Sequence, residues 1–354
     1  MSEGNFNPVT PEGSGVYPNR YILVPVKSGM WKTLLWIMLF FFLLFSLTCN
    51  MAFMSLLSDS LTSKTSKTVE EEFYSGDESS DEKIAIIDVT GTIEDGEDYR
   101  DIIEAAAKDE KVKIVILRVD SPGGTVTGSD YILNKLNLLR VRTNKQIIVS
   151  MGSLACSGGY YISMCVGNVG DSIFIEPTGW TGSIGVILSR YDASELFNKK
   201  LGVFEDPITS GPNKAMGSPL MPLTEEQRKI FQDLVDDSFN RFKEIIKQGR
   251  PRFEKNPKEL DDLATGQVYS ANQALKLGLV DKIGFLDDAI AEACARISVD
   301  PEKAHVFRYK HKSSWHDALF SKFNGSSVNS SPVEDVQKVI NKATSPKAYY
   351  LWQM

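Results

Sequence analysis

The sequence predicts an α/β fold with a largely parallel sheet, preceded by one N-terminal transmembrane helix. From Lys83 onward, short β-branched segments alternate with amphipathic helical segments, a pattern that is typical of βαβ units. Before that point, the 26 residues from Thr33 to Ser58 carry no charge. A bilayer core requires about 20 apolar residues in a helix, so this run is long enough to cross it. The chain has 354 residues and is 42% hydrophobic, which is enough for a sizeable core.

The apolar run is interpreted as a signal anchor that covers residues 33–57, after a cytoplasmic segment of residues 1–32. A buried core helix or a cleaved signal peptide would also be apolar. However, 32 residues precede the run and no A-x-A cleavage site follows it, which favours an uncleaved anchor. Arg20, Lys27 and Lys32 lie before the run, so the positive-inside rule places the N-terminus in the cytoplasm. We expect a single-pass protein of the cell membrane (inner or plasma membrane) whose main domain is extracytoplasmic.

Three regions are predicted after the anchor. Residues 58–82 are rich in Ser and Thr and hold eight acids and two lysines, so they are interpreted as a solvated linker. Residues 83–300 form the predicted main domain, and residues 301–354 form a C-terminal tail. Within the main domain, strands are predicted at Ile84–Val89, Val112–Val119 and Ile147–Ser150. Helices are predicted at 99–108, 128–141, Tyr160–Cys165, from Thr224 to about Gln248, and at Ala271–Leu277 and Leu286–Ile297.

Composition excludes several classes of function. The chain has only three His, all within the last 50 residues, which argues against a Ser-His-Asp hydrolase and against a His-rich metal site in the main domain. None of the four Cys forms a CxxC pair, so a zinc site does not fit. The formal net charge of −7 argues against nucleic-acid binding. We expect no metal and no cofactor, and any acid–base chemistry has to use Lys, carboxylates, Tyr or Cys.

A candidate nucleophile lies in a segment without charges. Ser157 follows a predicted strand, precedes a predicted helix and is followed by Gly158 and Gly159. At a helix N-terminus, free backbone N–H groups favour a developing negative charge, and glycine allows a carbonyl group to approach the backbone closely. An ordinary N-cap serine would show the same local pattern, so this feature alone does not identify a site.

A candidate base lies in a second segment that is almost free of charges. Between Pro207 and Thr224, Lys214 is the single charged residue. A lysine in such surroundings can be partly buried, which lowers the pKa of its ammonium group and allows it to deprotonate a serine. A solvated loop lysine is the alternative. Because the main domain contains no His, Ser157 and Lys214 together match the residues of a Ser-Lys dyad.

Supporting groups for such a dyad are also present. The backbone N–H groups near Gly123 and Gly124, directly after a strand, could join that of Gly158 in an oxyanion hole. Ser183 offers a hydroxyl that could hydrogen-bond the amine of Lys214 and hold it neutral. No G-x-S-x-G motif occurs, which excludes the usual nucleophile elbow of α/β-hydrolases.

Six ordered motifs between residues 83 and 297 carry a resemblance to a known family. They are Arg118-Val119-Asp120-Ser121-Pro122-Gly123-Gly124, Ser157-Gly158-Gly159-Tyr160-Tyr161-Ile162-Ser163, Thr181-Gly182-Ser183-Ile184-Gly185-Val186, Thr209-Ser210-Gly211 with Lys214, Ala264-Thr265-Gly266-Gln267-Val268-Tyr269 and Gly278-Leu279-Val280-Asp281. On these motifs the chain resembles bacterial signal peptide peptidase A, a family of membrane-anchored Ser-Lys proteases with a ClpP/crotonase-like fold.

The resemblance implies a membrane-anchored serine endopeptidase with a ClpP/crotonase-like ββα spiral domain. It places the nucleophile at Ser157, the general base at Lys214 and the hydroxyl that supports the lysine at Ser183. The oxyanion glycine of the family falls on Gly124. The resemblance further implies a homo-oligomeric ring whose dyad is completed between neighbouring protomers. The expected substrates are apolar, extended peptides such as remnant signal peptides, which are hydrolysed through an acyl-enzyme.

Some positions depart from the family pattern. Cys156 stands where a small alanine is usual, and we interpret it as a packed hydrophobic side chain rather than a thiol nucleophile. Thr265 and Gln267 replace an Asp and an Arg, which puts a local ion pair in doubt. The segment Met164–Thr178 is a few residues longer than usual.

Two other functions stay open from the sequence. The chain could be an inactive, membrane-tethered oligomeric scaffold that binds peptides, since a fold alone does not grant activity. A CoA-binding enzyme of the crotonase type, on the related fold, is the third hypothesis. The aromatic end of the tail, Tyr349–Met354, could dock on the main domain or occupy a substrate groove, or it could be a frayed terminus.

Overall fold

The structure is a computed structural model, and it describes residues 29–62, 69–311 and 348–351. The N-terminal unit contains one described helix, α1 (Gly29–Thr62), whose 34 residues include the whole of the predicted anchor. Within α1, the 21 residues of Trp31–Met51 have a mean hydropathy of 2.2. By its length and composition, this helix can cross a membrane.

The second unit has a mixed α/β fold. Its described strands are β1 (Val69–Gly76), β2 (Lys83–Thr90), β3 (Val112–Ser121), β4 (Gly123–Thr125), β5 (Gln146–Cys156), β6 (Ile173–Ile175), β7 (Trp180–Gly182), β8 (Ile187–Leu188), β9 (Val268–Ser270), β10 (Lys282–Ile283), β11 (His305–His311) and β12 (Ala348–Leu351). Its described helices are α2 (Arg100–Lys108), α3 (Val126–Thr143), α4 (Gly158–Ser163), α5 (Glu225–Gly249), α6 (Pro251–Lys255), α7 (Pro257–Leu263), α8 (Ala271–Leu277) and α9 (Leu286–Ile297).

The main sheet is largely parallel, as the sequence predicts. Its described strands follow the order β1-β11-β2-β3-β5-β6-β10, and β7 and β9 extend it from the far end of β5. Strands β11, β2, β3, β5, β6 and β10 are mutually parallel, and β1 is antiparallel to β11. A second, smaller sheet has the order β4-β12-β8. The carboxyl ends of β3 and β5 therefore lie side by side, and both lead into the segments that hold the candidate site.

The interior strands are buried on both faces because helices cover both sides of the sheet. Along β2, Ala85 and Ile87 belong to one hydrophobic core, whereas Ile84 and Ile86 belong to the other. This alternation follows from the two-residue period of a strand. It explains why β2 and β3 appear in the sequence as continuous apolar runs. The predicted helices at 99–108 and Leu286–Ile297 are confirmed, and Thr224 and Gln227 form a capping box at the start of α5.

Part of the predicted linker is a strand. Residues 69–76 form β1, which pairs along its length with β11, and Glu71 and Glu72 form ion pairs with Lys83 and Lys310. The interpretation of 58–82 as an entirely solvated linker is therefore wrong for 69–76. Six of the eight residues of β1 are exposed, and three of these six are Glu. Strand β1 is an edge strand, and charge on an edge strand discourages pairing with other chains.

The predicted tail also contributes to the sheet. Strand β11 lies between β1 and β2, so the sheet continues past the predicted boundary at residue 300. Its partners β1 and β2 lie more than 200 residues earlier in the chain, and such a distant pairing leaves no local pattern in the sequence. The prediction that 301–354 is a tail outside the domain is wrong for 305–311. Residues 312–347 lie outside the described part of the chain.

Candidate active site

Ser157 lies at the junction between β5 and α4 in a strained backbone conformation. Its φ of 52° and ψ of −113° are rare for a residue with a side chain. Two hydrogen bonds hold this turn: the Ser157 N–H donates to the carbonyl of Gly182 at 2.8 Å, and the Tyr161 N–H donates to the carbonyl of Ser157 at 2.8 Å. Ser157 is 1% exposed, and its hydroxyl makes no hydrogen bond with the described residues. The fold thus holds Ser157 in a strained turn, without a partner for its hydroxyl from the described part of the chain.

The candidate oxyanion glycines pack against one another beside Ser157. A methyl group built on Gly123, which has a φ of +100°, would lie 2.6 Å from the backbone nitrogen of Gly158. A methyl group on Gly158 would in turn lie 3.1 Å from the backbone nitrogen of Gly124. Only glycine permits this approach, because any Cβ would force the two segments apart. Gly158 is the first residue of α4, so its N–H has no partner inside the helix.

The hydrogen bonds between β4 and Ile93 determine the direction of the Gly124 N–H group. The Ile93 N–H donates to the carbonyl of Gly123 at 2.8 Å, and the Thr125 N–H donates to the carbonyl of Ile93 at 2.7 Å. Successive peptide groups of a strand point to opposite sides, so the N–H of Gly124 points away from Ile93, toward β12. Gly124 and Gly158 thus present N–H groups at the place where the sequence analysis expected an oxyanion hole.

Ser183 is placed near Ser157 by strand pairing. Strand β7 pairs with β5, with Gly182 opposite Cys156, and the carbonyl of Gly182 accepts the hydrogen bond from Ser157. Ser183 follows directly, is buried and has a φ of 51°. Its N–H donates to the carbonyl of Gln267 at 2.7 Å. The segment that departs from the family pattern therefore supports Ser183 through its backbone, and this contact does not depend on the side chain of Gln267.

Lys214 does not form a hydrogen bond with Ser157 in this single chain. Its side chain is exposed, and its ammonium group makes no hydrogen bond or ion pair with the described residues. The expectation of a partly buried lysine is wrong for the isolated chain, because the loop that carries it lies on the surface. Phe204 and Ile208 on the same stretch are 72% and 104% exposed. Exposed apolar side chains therefore lie on the same surface stretch as the exposed Lys214.

Cys156, next to Ser157, is fully buried, and its thiol does not fit the role of a nucleophile. Its burial raises the pKa of the thiol to about 12. A thiol with such a pKa stays protonated at neutral pH, and the thiolate is the reactive form. The interpretation of Cys156 as a packed hydrophobic side chain agrees with this burial.

The structure adds an aromatic pocket that the sequence analysis did not identify. Tyr350 of β12 is fully buried, and its ring stacks on Tyr161 at 4.9 Å and packs against Phe242 at 4.7 Å between centroids. Its hydroxyl donates to the carbonyl of Ser238 at 2.7 Å. Tyr161 follows Ser157 by four residues, which is about one helical turn, and this spacing is the sequence signal that links the pocket to Ser157.

The chemistry of this arrangement is that of acyl transfer. The hydroxyl of Ser157, which has no hydrogen-bond partner among the described residues, lies beside the backbone N–H groups of Gly124 and Gly158. The N–H of Gly124 faces β12, and that of Gly158 has no partner inside α4. A carbonyl group placed between them could be attacked by the hydroxyl while the N–H groups stabilise the resulting oxyanion. A groove of about 700 Å³ beside Ser183, lined in part by Val186, Phe239 and Leu351, leaves room for further residues of an extended chain.

Comparisons with known proteins agree with this chemistry. Residues 140–300 match the model of peptidase family S49. The chain is 37% identical over 227 residues to a putative protease of Synechocystis, covering 63% of this chain and 78% of that protein. It is 34% identical over 255 residues to a putative signal peptide peptidase SppA of Enterococcus faecium, covering 69% and 70%. It is 37% identical over 220 residues to Protease 4 of Haemophilus influenzae, covering 60% of this chain but only 34% of that longer protein.

Proposed function

The chain belongs to peptidase family S49, the signal peptide peptidase A family of serine peptidases, and on that premise we propose that Ser157 is its nucleophile and Lys214 its general base. The observation that carries the proposal is the conformation of Ser157. A buried serine in a strained backbone conformation is costly for the fold, and strain of this kind concentrates at active sites. The adjoining N–H groups of Gly124 and Gly158 support the assignment of an oxyanion hole.

The proposed reaction is peptide-bond hydrolysis in two stages. Lys214 takes the proton of the Ser157 hydroxyl as the oxygen attacks the scissile carbonyl carbon. The N–H groups of Gly124 and Gly158 stabilise the oxyanion, and Lys214 then protonates the leaving amine. Water hydrolyses the acyl-enzyme and regenerates the serine. The hydroxyl of Ser183 accepts a hydrogen bond from the amine of Lys214 and holds the amine in place.

The exposed position of Lys214 supports a dyad that is completed between protomers. In this arrangement the apolar loop with Phe204 and Ile208 packs against a neighbouring copy, which brings Lys214 of one protomer to Ser157 of the next. A homo-oligomeric ring repeats this heterologous contact and closes on itself. Burial of the loop in the ring also removes Lys214 from water, which favours its neutral, basic form.

The proposed substrates are extended, apolar peptides such as signal-peptide remnants. An extended peptide can pair with the edge of β4, so that main-chain hydrogen bonds supply affinity for any sequence. The helix α1 anchors the enzyme in the cell membrane close to such substrates. Arg20, Lys27 and Lys32 before it support a cytoplasmic N-terminus and an extracytoplasmic catalytic domain.

Variants that lack one dyad residue test this function. Ser157→Ala and Lys214→Ala should each reduce hydrolysis of a quenched fluorescent peptide by more than about 10³-fold. Co-expression of the two variants in equal amounts should restore about a quarter of the wild-type rate, because that fraction of randomly mixed interfaces pairs an intact Ser157 with an intact Lys214. Labelling by a fluorophosphonate probe should be present in the wild type and absent from Ser157→Ala.

The outcomes separate the parts of the proposal. A near-normal rate for Lys214→Ala would exclude it as the base. Inactive variants that stay inactive when co-expressed would place both dyad residues within one chain. A wild-type chain that neither hydrolyses any peptide nor reacts with the probe would support a peptide-binding scaffold instead. Lys229→Ala, on the solvent side of α5, is the matched control for loss of a lysine.

A further inference from the structure

Strand β5 carries a bulge shortly before it reaches the candidate site. In the register of the two strands, Val119 of β3 lies opposite Met151 of β5. Two residues later on β3, Ser121 lies opposite Ala155, which is four residues later on β5. The extra residues fall within Gly152–Leu154, so β5 bulges there. Before this bulge β5 pairs with β6, and after it β5 pairs with β7. The last part of β5 therefore takes its direction from the bulge.

The side chain of Asp120, on β3, holds the bulge. Its Oδ1 accepts a hydrogen bond from the Ser153 hydroxyl at 2.8 Å and another from the Leu154 N–H at 3.1 Å. The extra residues of β5 shift the Leu154 N–H out of register with the carbonyls of β3, so a side-chain oxygen takes the place of a backbone acceptor. The bulge thus stays attached to β3 through one carboxylate.

A glycine leaves room for this carboxylate. A methyl group built on Gly152 would lie 3.0 Å from Oδ2 of Asp120 and 3.0 Å from a guanidinium nitrogen of Arg118. The same guanidinium group donates to the Ser150 hydroxyl at 3.0 Å and to the carboxylate of Glu176. Any side chain at Gly152 would press on both charged groups, so the glycine allows Asp120 to lie close over β5.

The contact of Asp120 lies at the same separation along the chain from both halves of the candidate site. Asp120 precedes Gly124 by four residues, and Ser153 precedes Ser157 by four residues. The proposed oxyanion donor and the proposed nucleophile therefore belong to two short segments that are joined at their start by the carboxylate of Asp120. Any change in the bulge would move one segment relative to the other.

Both segments are held along their length. After Asp120, the Ser121 hydroxyl accepts a hydrogen bond from the Gly123 N–H at 3.0 Å, and Pro122 between them has a fixed φ. On β5, the carbonyl of Ala155 accepts a hydrogen bond from the Thr181 hydroxyl at 2.6 Å. Segments that cannot bend independently transmit a shift at the bulge to the groups at their ends.

We propose that Asp120 is a positioning residue of this peptidase, which sets the distance between the Ser157 hydroxyl and the Gly124 N–H by holding the bulge of β5 against β3. The inference rests on the proposed function, in which these two groups act on one carbonyl group. Asp120 takes no part in the proton transfers and acts through the backbone. A displacement of about 1 Å in such a site can lower the rate by about 10²-fold.

The first test separates the chemical step from substrate binding. Asp120→Ala removes the acceptor and should lower kcat for a quenched fluorescent peptide by about 10²-fold, while KM stays within about twofold of the wild-type value. Asp120→Asn keeps an oxygen that can accept both hydrogen bonds, so kcat should stay within about fivefold of the wild type. Asp88→Ala is the matched control, since Asp88 lies on the same face of β2 and pairs with Arg308 at 2.6 Å. This control should leave kcat unchanged.

The second test separates positioning from stability. The Ser157 hydroxyl adds across the carbonyl of a peptide aldehyde, and the oxygen of the resulting hemiacetal occupies the oxyanion hole. The inhibition constant of the aldehyde therefore reports how the two groups are placed. In Asp120→Ala this constant should rise by about the factor by which kcat/KM falls, about 10²-fold. A variant that is only less stable would keep the wild-type constant, because unfolded protein does not change the affinity of the folded fraction.

A milder variant keeps the test valid if Asp120→Ala does not fold. Ser153 is exposed, so Ser153→Ala should fold normally. It removes one of the two hydrogen bonds to Asp120 and should lower kcat about three- to tenfold, with an equal rise in the inhibition constant. If Asp120→Ala yields no folded protein, unchanged constants in Ser153→Ala would overturn the inference.

The outcomes distinguish this inference from the proposed function. Folded Asp120→Ala with a wild-type kcat would overturn the inference, and so would a lower kcat with an unchanged inhibition constant. In both cases an inactive Ser157→Ala would leave the proposed function in place. A wild-type protein that neither hydrolyses peptides nor reacts with the fluorophosphonate probe would overturn the proposed function, and this inference with it.

Discussion

At the scale of single residues, Ser157 shows how function and stability oppose each other. Its backbone lies in a region where a side chain costs about 1–3 kcal/mol, and neighbouring strands and the start of α4 hold it there. The sequence pointed to Ser157 because two glycines follow it in a segment without charges. The backbone strain itself had no signature in the sequence, because it results from the pairing of β7 with β5.

This strain predicts an unusual order of stability between two inactive variants. Glycine accepts the backbone conformation of Ser157 without strain, whereas alanine retains the cost. Allowing for the greater flexibility of glycine in the unfolded chain, Ser157→Gly should be more stable than Ser157→Ala by about 1 kcal/mol. The midpoints of thermal or denaturant unfolding, measured in the same detergent, would show this difference.

The matched control uses a buried serine in ordinary helical geometry. Ser163 has a φ of −65° and lies at the end of α4. There Ser163→Gly should be less stable than Ser163→Ala by about 1 kcal/mol, since a helical position favours alanine. The same order at both sites would show that Ser157 carries no strain in the folded enzyme.

At the scale of elements, the sequence predicted those strands and helices whose residues show a local periodicity. The three predicted strands, the six predicted helices and the capping box of Thr224 follow from periodicity and end signals, and all are present. Strand β1 was missed because its exposed acidic residues resemble a linker. Strands β11 and β12 were missed because each pairs with segments far away in the chain. The aromatic pocket depends on β12, so it too was beyond local reasoning.

The C-terminal end of helix α2 is capped by the buried ammonium group of Lys145. Helix α2 ends near Lys108, and the ammonium group of Lys145 donates to the carbonyls of Ala106, Ala107 and Asp109 at 2.7, 3.1 and 2.7 Å. A helix leaves its last carbonyls without partners, so Lys145 acts as a cap from another segment. Desolvation lowers the pKa of Lys145 from its ordinary value, which reflects the cost of burying the charge.

Removal of this cap should destabilise the domain. Lys145→Met keeps the length and apolar stem of the side chain but leaves three carbonyls unsatisfied, which should lower the free energy of unfolding by about 2 kcal/mol. Lys135→Met, which removes a lysine that pairs with Glu104 nearer the surface, should cost about 0.5 kcal/mol or less. Equal losses for the two variants, measured by denaturant unfolding, would mean that the hydrogen bonds of Lys145 contribute little.

At the scale of the whole molecule, the composition separates into parts with different roles. The apolar residues divide between the helix α1 and the two cores that flank the sheet. The net charge of −7 owes much to residues 58–82, part of which forms the edge strand β1, so it says little about substrates. The scarcity of His was the more informative feature, since it made a lysine the candidate base in the proposed dyad.

The exposed loop that carries Lys214 links assembly to activity in this proposal. Ile208→Glu places a charge on a fully exposed apolar position of the loop, which costs the isolated chain little but opposes burial against a neighbouring copy. We expect this variant to dissociate and to lose activity in parallel, as followed by light scattering and peptide hydrolysis in detergent. Val141→Glu, at a 70% exposed position on α3, is the control and should change neither property.

Two outcomes would contradict this prediction. Dissociated Ile208→Glu protein with full activity would show that each chain completes its own dyad. If Ile208→Glu stayed assembled and fully active, the loop would face solvent in the oligomer as well. The proposal that a neighbouring copy buries the loop and Lys214 would then be wrong.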